Sequence, residues 1–134
     1  MKLLEGKVSI ITGATRGIGK GIAQKFAEQG SDVAFTYVSS DEKAKAVEEE
    51  LKALGVRAKG YKSNAADFAA AEAFVNAVVE EFGTLDVIVN NAGITRDTLF
   101  PGMSDEQWDE VIDTNLRGAF LFARAASRHM MRAR

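Results

Sequence analysis

The chain has no cysteine, and only one proline, one histidine and one tryptophan in 134 residues. Without cysteine there is no disulfide framework, no thiolate metal site and no cysteine nucleophile, and a reducing compartment is the simplest expectation. His129 has no Asp, Glu or second His at ligand spacing, so it is expected to be a solvated residue of a basic helix end with Arg124, Arg128, Arg132 and Arg134. No apolar run approaches the ~20 residues that cross a bilayer, and charge enters at once in Met1-Lys2-Leu3-Leu4-Glu5. The expectation is a cytoplasmic protein without membrane contact. A formal charge of -2, with acids and bases interspersed, leaves no basic face for a nucleic-acid partner. Repeats, low-complexity tracts and linkers are missing too. The chain therefore reads as one domain, of a size that buries about two-thirds of its unfolded surface.

What is present is an alternation of short apolar runs with longer runs of helical period, the pattern of a parallel sheet with crossover helices. Val8 to Thr12 reads as the first strand. A helix from about Gly17 follows, with Ile18, Ile22 and Phe26 on one face and Gly30 closing it. Val33 to Val38 is the second strand. Ser40 or Asp41 then caps a helix with the stripe Ala44, Val47, Leu51 and Leu54, ended by Gly55. Arg57 to Lys62 is the third strand, and from Asp67 a helix turns Ala71, Phe74, Val75, Val78 and Phe82 inward and stops at Gly83. Leu85 to Asn90 is an almost wholly apolar fourth strand, as expected of one covered on both faces. After a loop through Pro101 and Gly102, Ser104 and Gln107 form a capping box. One long helix or two in succession are expected from there to Arg134. Glu48-Glu49-Glu50 is expected to be an exposed helix face.

The most informative stretch is Val8-Ser9-Ile10-Ile11-Thr12-Gly13-Ala14-Thr15-Arg16-Gly17-Ile18-Gly19. A strand runs into a glycine loop that opens a helix, an arrangement that places unpaired amides and the positive helix end against a pyrophosphate. A magnesium-dependent P-loop fails, because Gly19-Lys20-Gly21 supplies no hydroxyl after the lysine. A flavin mononucleotide binder remains open in principle. At the end of the second strand, where an acidic side chain would favour NAD, stands Tyr37, followed by Val38, Ser39 and Ser40. Arg16 can place a guanidinium beside a 2'-phosphate, so NADP(H) is the expected cofactor. The alternatives are that Arg16 is a solvated loop cation, and that Ser39 and Ser40 only cap a helix.

Two further motifs complete a pattern. Thr12-Gly13-x-x-x-Gly17-x-Gly19, with Asn90-Asn91-Ala92-Gly93 after Leu85-Asp86-Val87-Ile88-Val89, resembles a short-chain dehydrogenase/reductase. Gly93-Ile94-Thr95-Arg96-Asp97 and Met103-Ser104-x-Glu106-Gln107-Trp108-Asp109-x-Val111-Ile112 resemble the branch of 3-oxoacyl-(acyl-carrier-protein) reductases of type II fatty-acid synthesis. The resemblance implies a Rossmann-type, doubly wound α/β sheet of about four parallel strands in the order 3-2-1-4, with helices on both faces. It also implies a cofactor site formed by Gly13, Thr15, Arg16, Gly17, Ile18, Gly19, Tyr37, Ser39 and Ser40. Asn64 and Ala65 would lie at the adenine, although the family more often has Asp at the first of these and a turn residue is the alternative reading. Asn90, Asn91, Ala92 and Gly93 would line the ribose and nicotinamide side.

Of the family's catalytic positions the sequence contains one, Asn115, which by resemblance bends its helix and orders a water; an interface polar residue is the alternative. The family's Ser and Tyr-x-x-x-Lys are not found, since the residues four after Tyr37 and Tyr61 are Asp41 and Ala65. The resemblance covers the N-terminal part of proteins of about 250 residues. The chain is therefore expected to supply the NADP-binding half of an NADPH-dependent reductase, inactive alone, with acyl-carrier protein a partner only together with the remaining half. A non-catalytic nucleotide-binding module or an engineered half-domain scaffold is the alternative. Homo-oligomerisation is expected through strand 85–90, helix 112–131 or both, because Leu116, Phe120, Leu121, Phe122, Ala123, Ala126, Met130 and Met131 wrap too far round one helix to face a single sheet.

Overall fold

A computed structural model of the chain describes residues 2–63, 68–93 and 100–133. Its strands β1 (Val8–Ile11), β2 (Asp32–Tyr37), β3 (Ala58–Lys62) and β4 (Val87–Val89) form one sheet in the order β3-β2-β1-β4. All three pairings are parallel, with Ile10 opposite Ala34 on one side and Ile88 on the other. Helices α1 (Gly17–Glu28), α2 (Asp41–Lys52) and α3 (Phe68–Phe82) are the crossovers, and α4 (Asp105–Ile112) leads through a π-turn at Asp113–Arg117 into α5 (Gly118–Ala133). This is the expected doubly wound topology.

Alternation along β1 divides the core. Val8 and Ile10, with Ala34, pack under Phe74, Val75, Val78, Leu121, Phe122 and Ala126 of α3 and α5. Ile11, with Val33 and Phe35, packs under Ala23, Ala27, Ala44, Val47 and Leu51 of α1 and α2. Successive strand side chains point to opposite faces, so one short strand serves both layers. At the far edge, β4 is only half-buried, and its expected full coverage is not found. Its pairing with β1 spans Val87 to Val89, which is why it is shorter than the apolar run Leu85 to Asn90. Leu85 is nevertheless buried, and Asp86 Oδ2 accepts the Val8 amide at 2.9 Å, tying the entry of β4 to that of β1.

The buried stripe of α1 is Gly19, Ala23 and Ala27 rather than the larger Ile18, Ile22 and Phe26. Small residues let the helix lie close to the sheet, so Ile22 and Phe26 fall to the flanks of the contact and Ile18 is 78% exposed. Leu54 is likewise more exposed than its stripe suggests. Glu48 does not belong to a free acidic face: its Oε1 accepts the Gly60 amide of β3 at 2.7 Å, while Glu50 pairs with Lys20 at 3.4 Å. His129 also departs from expectation, being half-buried with Nε2 3.1 Å from Asn76 Oδ1 of α3. Leu116, Phe120 and Met131 remain exposed, whereas Leu121, Phe122 and Ala126 are buried against α3 and the sheet.

Phe122 is 1% exposed and meets Phe74 edge-on, with ring centroids 5.8 Å apart. Phe122→Ala should therefore lower the unfolding free energy by about 3–5 kcal/mol, the usual cost of an aromatic-sized cavity, read from urea denaturation. A loss below about 1 kcal/mol would contradict this packing.

Candidate functional site

The site begins one residue beyond β1. Thr12 is buried, and its hydroxyl accepts the amides of Asn91 at 3.0 Å and Ala92 at 2.9 Å while lying 3.4 Å from Val89 O. In return, Asn91 Nδ2 donates to the carbonyls of Thr12 and Gly13, both at 3.1 Å. These bonds join two segments almost eighty positions apart at the carboxyl edge of the sheet. That edge is where open α/β sheets bind ligands.

Gly13 has φ +67°, and a β-carbon there would lie 3.1 Å from the Ala92 Cα. Its amide donates to Thr36 Oγ1 at 3.1 Å, and the Ala14 amide donates to Thr36 O at 3.3 Å. The loop's first amides are thus fixed on β2. The next ones are not: from Thr15 to Gly19 the amides donate to no protein oxygen among the described residues. Gly17 adopts φ +59° in open space, so its requirement is conformational. At Gly19 the requirement is steric, because a β-carbon would sit 2.5 Å from Gly13 O and against the Asn91 amide.

Helix α1 starts without a side-chain cap and without an acidic residue in its first turn. Arg16, Gly17 and Ile18 are exposed. The result is a helix N-terminus with uncommitted donors, the positive end of its dipole and an adjoining guanidinium, a combination that suits phosphate oxygens. The fit to a dinucleotide rests on this donor set and on the close Gly13, Gly19 and Ala92 contacts, which leave the backbone itself as the ligand surface.

Around this cradle, Tyr37 ends β2 and its hydroxyl donates to Asp41 Oδ1 at 2.8 Å. The hydrogen bond to the Asp41 carboxylate, with partial burial, raises the phenol pKa above its ordinary value. Ser40 serves as the N-cap of α2, accepting the Lys43 amide at 3.2 Å, while Ser39 is exposed. Asn91 acts as a brace for the loop. Gly93 faces Asn115: a β-carbon on Gly93 would lie 2.9 Å from Asn115 Oδ1. Asn115 is exposed and lies within the π-turn, the interruption that separates α4 from α5. Asn64 and Ala65 lie outside the described residues.

Comparison with known proteins places the chain in a family of longer proteins. The family model described as short chain dehydrogenase matches residues 7–134. The chain belongs to the short-chain dehydrogenase family. It is 50% identical to the 3-oxoacyl-(acyl-carrier-protein) reductase FabG of Staphylococcus aureus (strain Mu50 / ATCC 700699), over 96% of this chain and 52% of that protein. It is 43% identical to FabG of Escherichia coli (strain K12), over 97% of this chain and 52% of that protein. A short chain dehydrogenase from Burkholderia cenocepacia J2315, solved in complex with NADP, superposes with TM-score 0.93 at 41% identity, covering 95% of this chain and 52% of that one. The chain thus spans about half the length of the relatives it matches.

In this family member, sequence reasoning names Thr12 as the first residue of the glycine motif, without a role, and passes over Thr36. Each is a buried hydroxyl in or next to an apolar strand, and that mismatch is a local signal of a structural role. A shallow concavity lined by Glu72, Asn76, Arg124, Arg128 and His129 lies between α3 and α5 and includes no residue of the glycine loop. Among the described residues no cluster of His, Asp or Glu is arranged to hold a metal, and no helix is long and apolar enough to cross a membrane.

Thr12→Val keeps the shape of the side chain but leaves the Asn91 and Ala92 amides without their acceptor. It should cost about 2–3 kcal/mol of stability, the penalty of stranding buried donors, measured by chemical denaturation. Wild-type stability in this variant would show that the hydroxyl does not organise the site.

Proposed function

We propose that this chain holds NADP(H) for a reductase whose complete form converts 3-oxoacyl groups carried on acyl-carrier protein to 3-hydroxyacyl groups in fatty-acid synthesis. The observation that carries this reading is the run of uncommitted amides from Thr15 to Gly19, at an open helix N-terminus braced by Thr12 and Asn91. The likeness to the two FabG proteins supports the substrate, and the NADP in the Burkholderia neighbour supports the cofactor.

In this reading the amides of Thr15, Arg16, Gly17, Ile18 and Gly19 bind the pyrophosphate, and the Arg16 guanidinium with Ser39 meets the 2'-phosphate. Tyr37 and Ser40 shape that end of the pocket through Asp41 and the α2 cap. Asn64 and Ala65 take the adenine edge, and Ala92 and Gly93 give the nicotinamide side its close backbone approach. NADPH supplies a hydride to a carbonyl carbon whose oxygen must also take up a proton. Asn115, opposite Gly93, orients the polar groups near that reaction centre. The proton donor belongs to a Tyr-x-x-x-Lys segment, and neither tyrosine here has a lysine four residues on. A cytoplasmic setting, and self-association through the β4 edge and the exposed Leu116, Phe120 and Met131 of the last helical region, belong to the same reading.

Fluorescence titration with NADPH and NADH tests the cofactor assignment. NADPH is expected to bind in preference to NADH, Gly17→Asp to remove binding of both by placing a carboxylate in the phosphate cradle, and Arg16→Ala to reduce the preference for NADPH by about tenfold, the scale of one charge-assisted contact. NADPH binding that survives Gly17→Asp refutes the cradle. The 134-residue polypeptide should not reduce an acetoacetyl thioester; turnover that persists in Tyr37→Phe and Tyr61→Phe would contradict the assignment of the proton donor elsewhere.

A further inference from the structure

The end of β2 carries a feature that a simple exchange of acid for neutral residue does not explain. Tyr37 stands where an acidic side chain would select the unphosphorylated ribose, but a carboxylate is close by: Asp41, first residue of α2, is hydrogen-bonded to the Tyr37 hydroxyl at 2.8 Å. Thr36, immediately before Tyr37, binds the amides of Gly13 and Ala14. The tyrosine and the first turn of α2 therefore adjoin the glycine loop, on the sheet edge where Arg16 is exposed. The bases nearest this carboxylate in sequence, Lys43 and Lys45, form no ion pair among the described residues.

We propose that the Tyr37 hydroxyl is a positioning group for cofactor selection: it fixes the Asp41 carboxylate on the phenol and withholds it from the ribose. This deepens the NADP reading above and rests on it. An exposed aspartate samples several staggered rotamers. Some of them offer its oxygens to a ribose 2'-hydroxyl, or set its charge against a 2'-phosphate, and both effects favour the unphosphorylated cofactor. A phenol-to-carboxylate bond is charge-assisted and directional, so it selects one arrangement and draws part of the negative charge onto the hydroxyl. Packing of the Tyr37 ring against the α1 and α2 core holds the donor still. Selection for the phosphorylated cofactor then has two parts, the attraction of Arg16 and the restraint of Asp41.

The test compares the ratio of NADH to NADPH dissociation constants in the full chain and in Tyr37→Phe, Asp41→Asn and the double variant. Tyr37→Phe keeps the ring and its packing while freeing the carboxylate. It should lower the preference for NADPH by roughly two- to tenfold, the range for one exposed charge acting on another, and the loss should shrink as salt is raised. In the Asp41→Asn background, removing the hydroxyl should no longer change the ratio, which a merely structural role for Tyr37 would not produce. If Tyr37→Phe leaves the ratio unchanged, or changes it equally in both backgrounds, this inference fails while the NADP assignment stands. If the unsubstituted chain binds NADPH no better than NADH, the underlying reading fails, and the inference with it.

Discussion

The Thr12 hydroxyl is the hinge pin of the site. It sits where β1 gives way to the glycine loop, and it holds the first residues after β4 by two amides while Asn91 answers with two bonds to the carbonyls of Thr12 and Gly13. Without that exchange, the chain leaving β4 would have no fixed relation to the loop after β1. With it, Ala92 lies close enough to Gly13 that only glycine fits, and Gly19 closes over the same point. The amides at the start of the loop are committed to Thr36, while those from Thr15 to Gly19 have no protein acceptor among the described residues. Rigid donors at one end and uncommitted donors at the other are what a preorganised anion site requires.

Much of this was legible in the chain itself. Apolar runs at regular intervals gave the four strands, the family resemblance gave their order, and Gly30, Gly55 and Gly83 marked the ends of three helices, each with positive φ. The capping box of Ser104 and Gln107 is present as expected. Legibility failed where the deciding partner is remote in sequence. Nothing local reveals that Thr12 will meet residues 91 and 92, or that Glu48 will take the outward amide of Gly60. Ile18 was misread for a different reason: hydrophobic spacing favours large side chains, whereas α1 approaches the sheet through Gly19, Ala23 and Ala27. Ile18 stays exposed at the loop, where its amide has no protein acceptor among the described residues.

The second half of the chain shows how one irregularity places a side chain. A continuous helix from Asp105 would carry Asn115 around on an uninterrupted register; the π-turn at Asp113–Arg117 instead sets it opposite Gly93 while α5 keeps Leu121, Phe122 and Ala126 on the sheet. Such inserted turns recur at functional positions because they reorient one residue without sacrificing the packing on either side. The short-chain dehydrogenase fold here is thus organised about a single sheet edge, served by β1, β2, β4 and the π-turn.

The central claim is that the amides of Thr15 to Gly19 are the dinucleotide-binding donors. Proton–nitrogen correlation spectra recorded during an NADPH titration address it directly. The account predicts that the resonances of Thr15, Arg16, Gly17, Ile18 and Gly19 move most, accompanied by Ala92 and Gly93, while Asn76, Arg128 and His129 between α3 and α5 stay in place. Shifts confined to that concavity, or a glycine loop that remains unchanged at saturating NADPH, would contradict it.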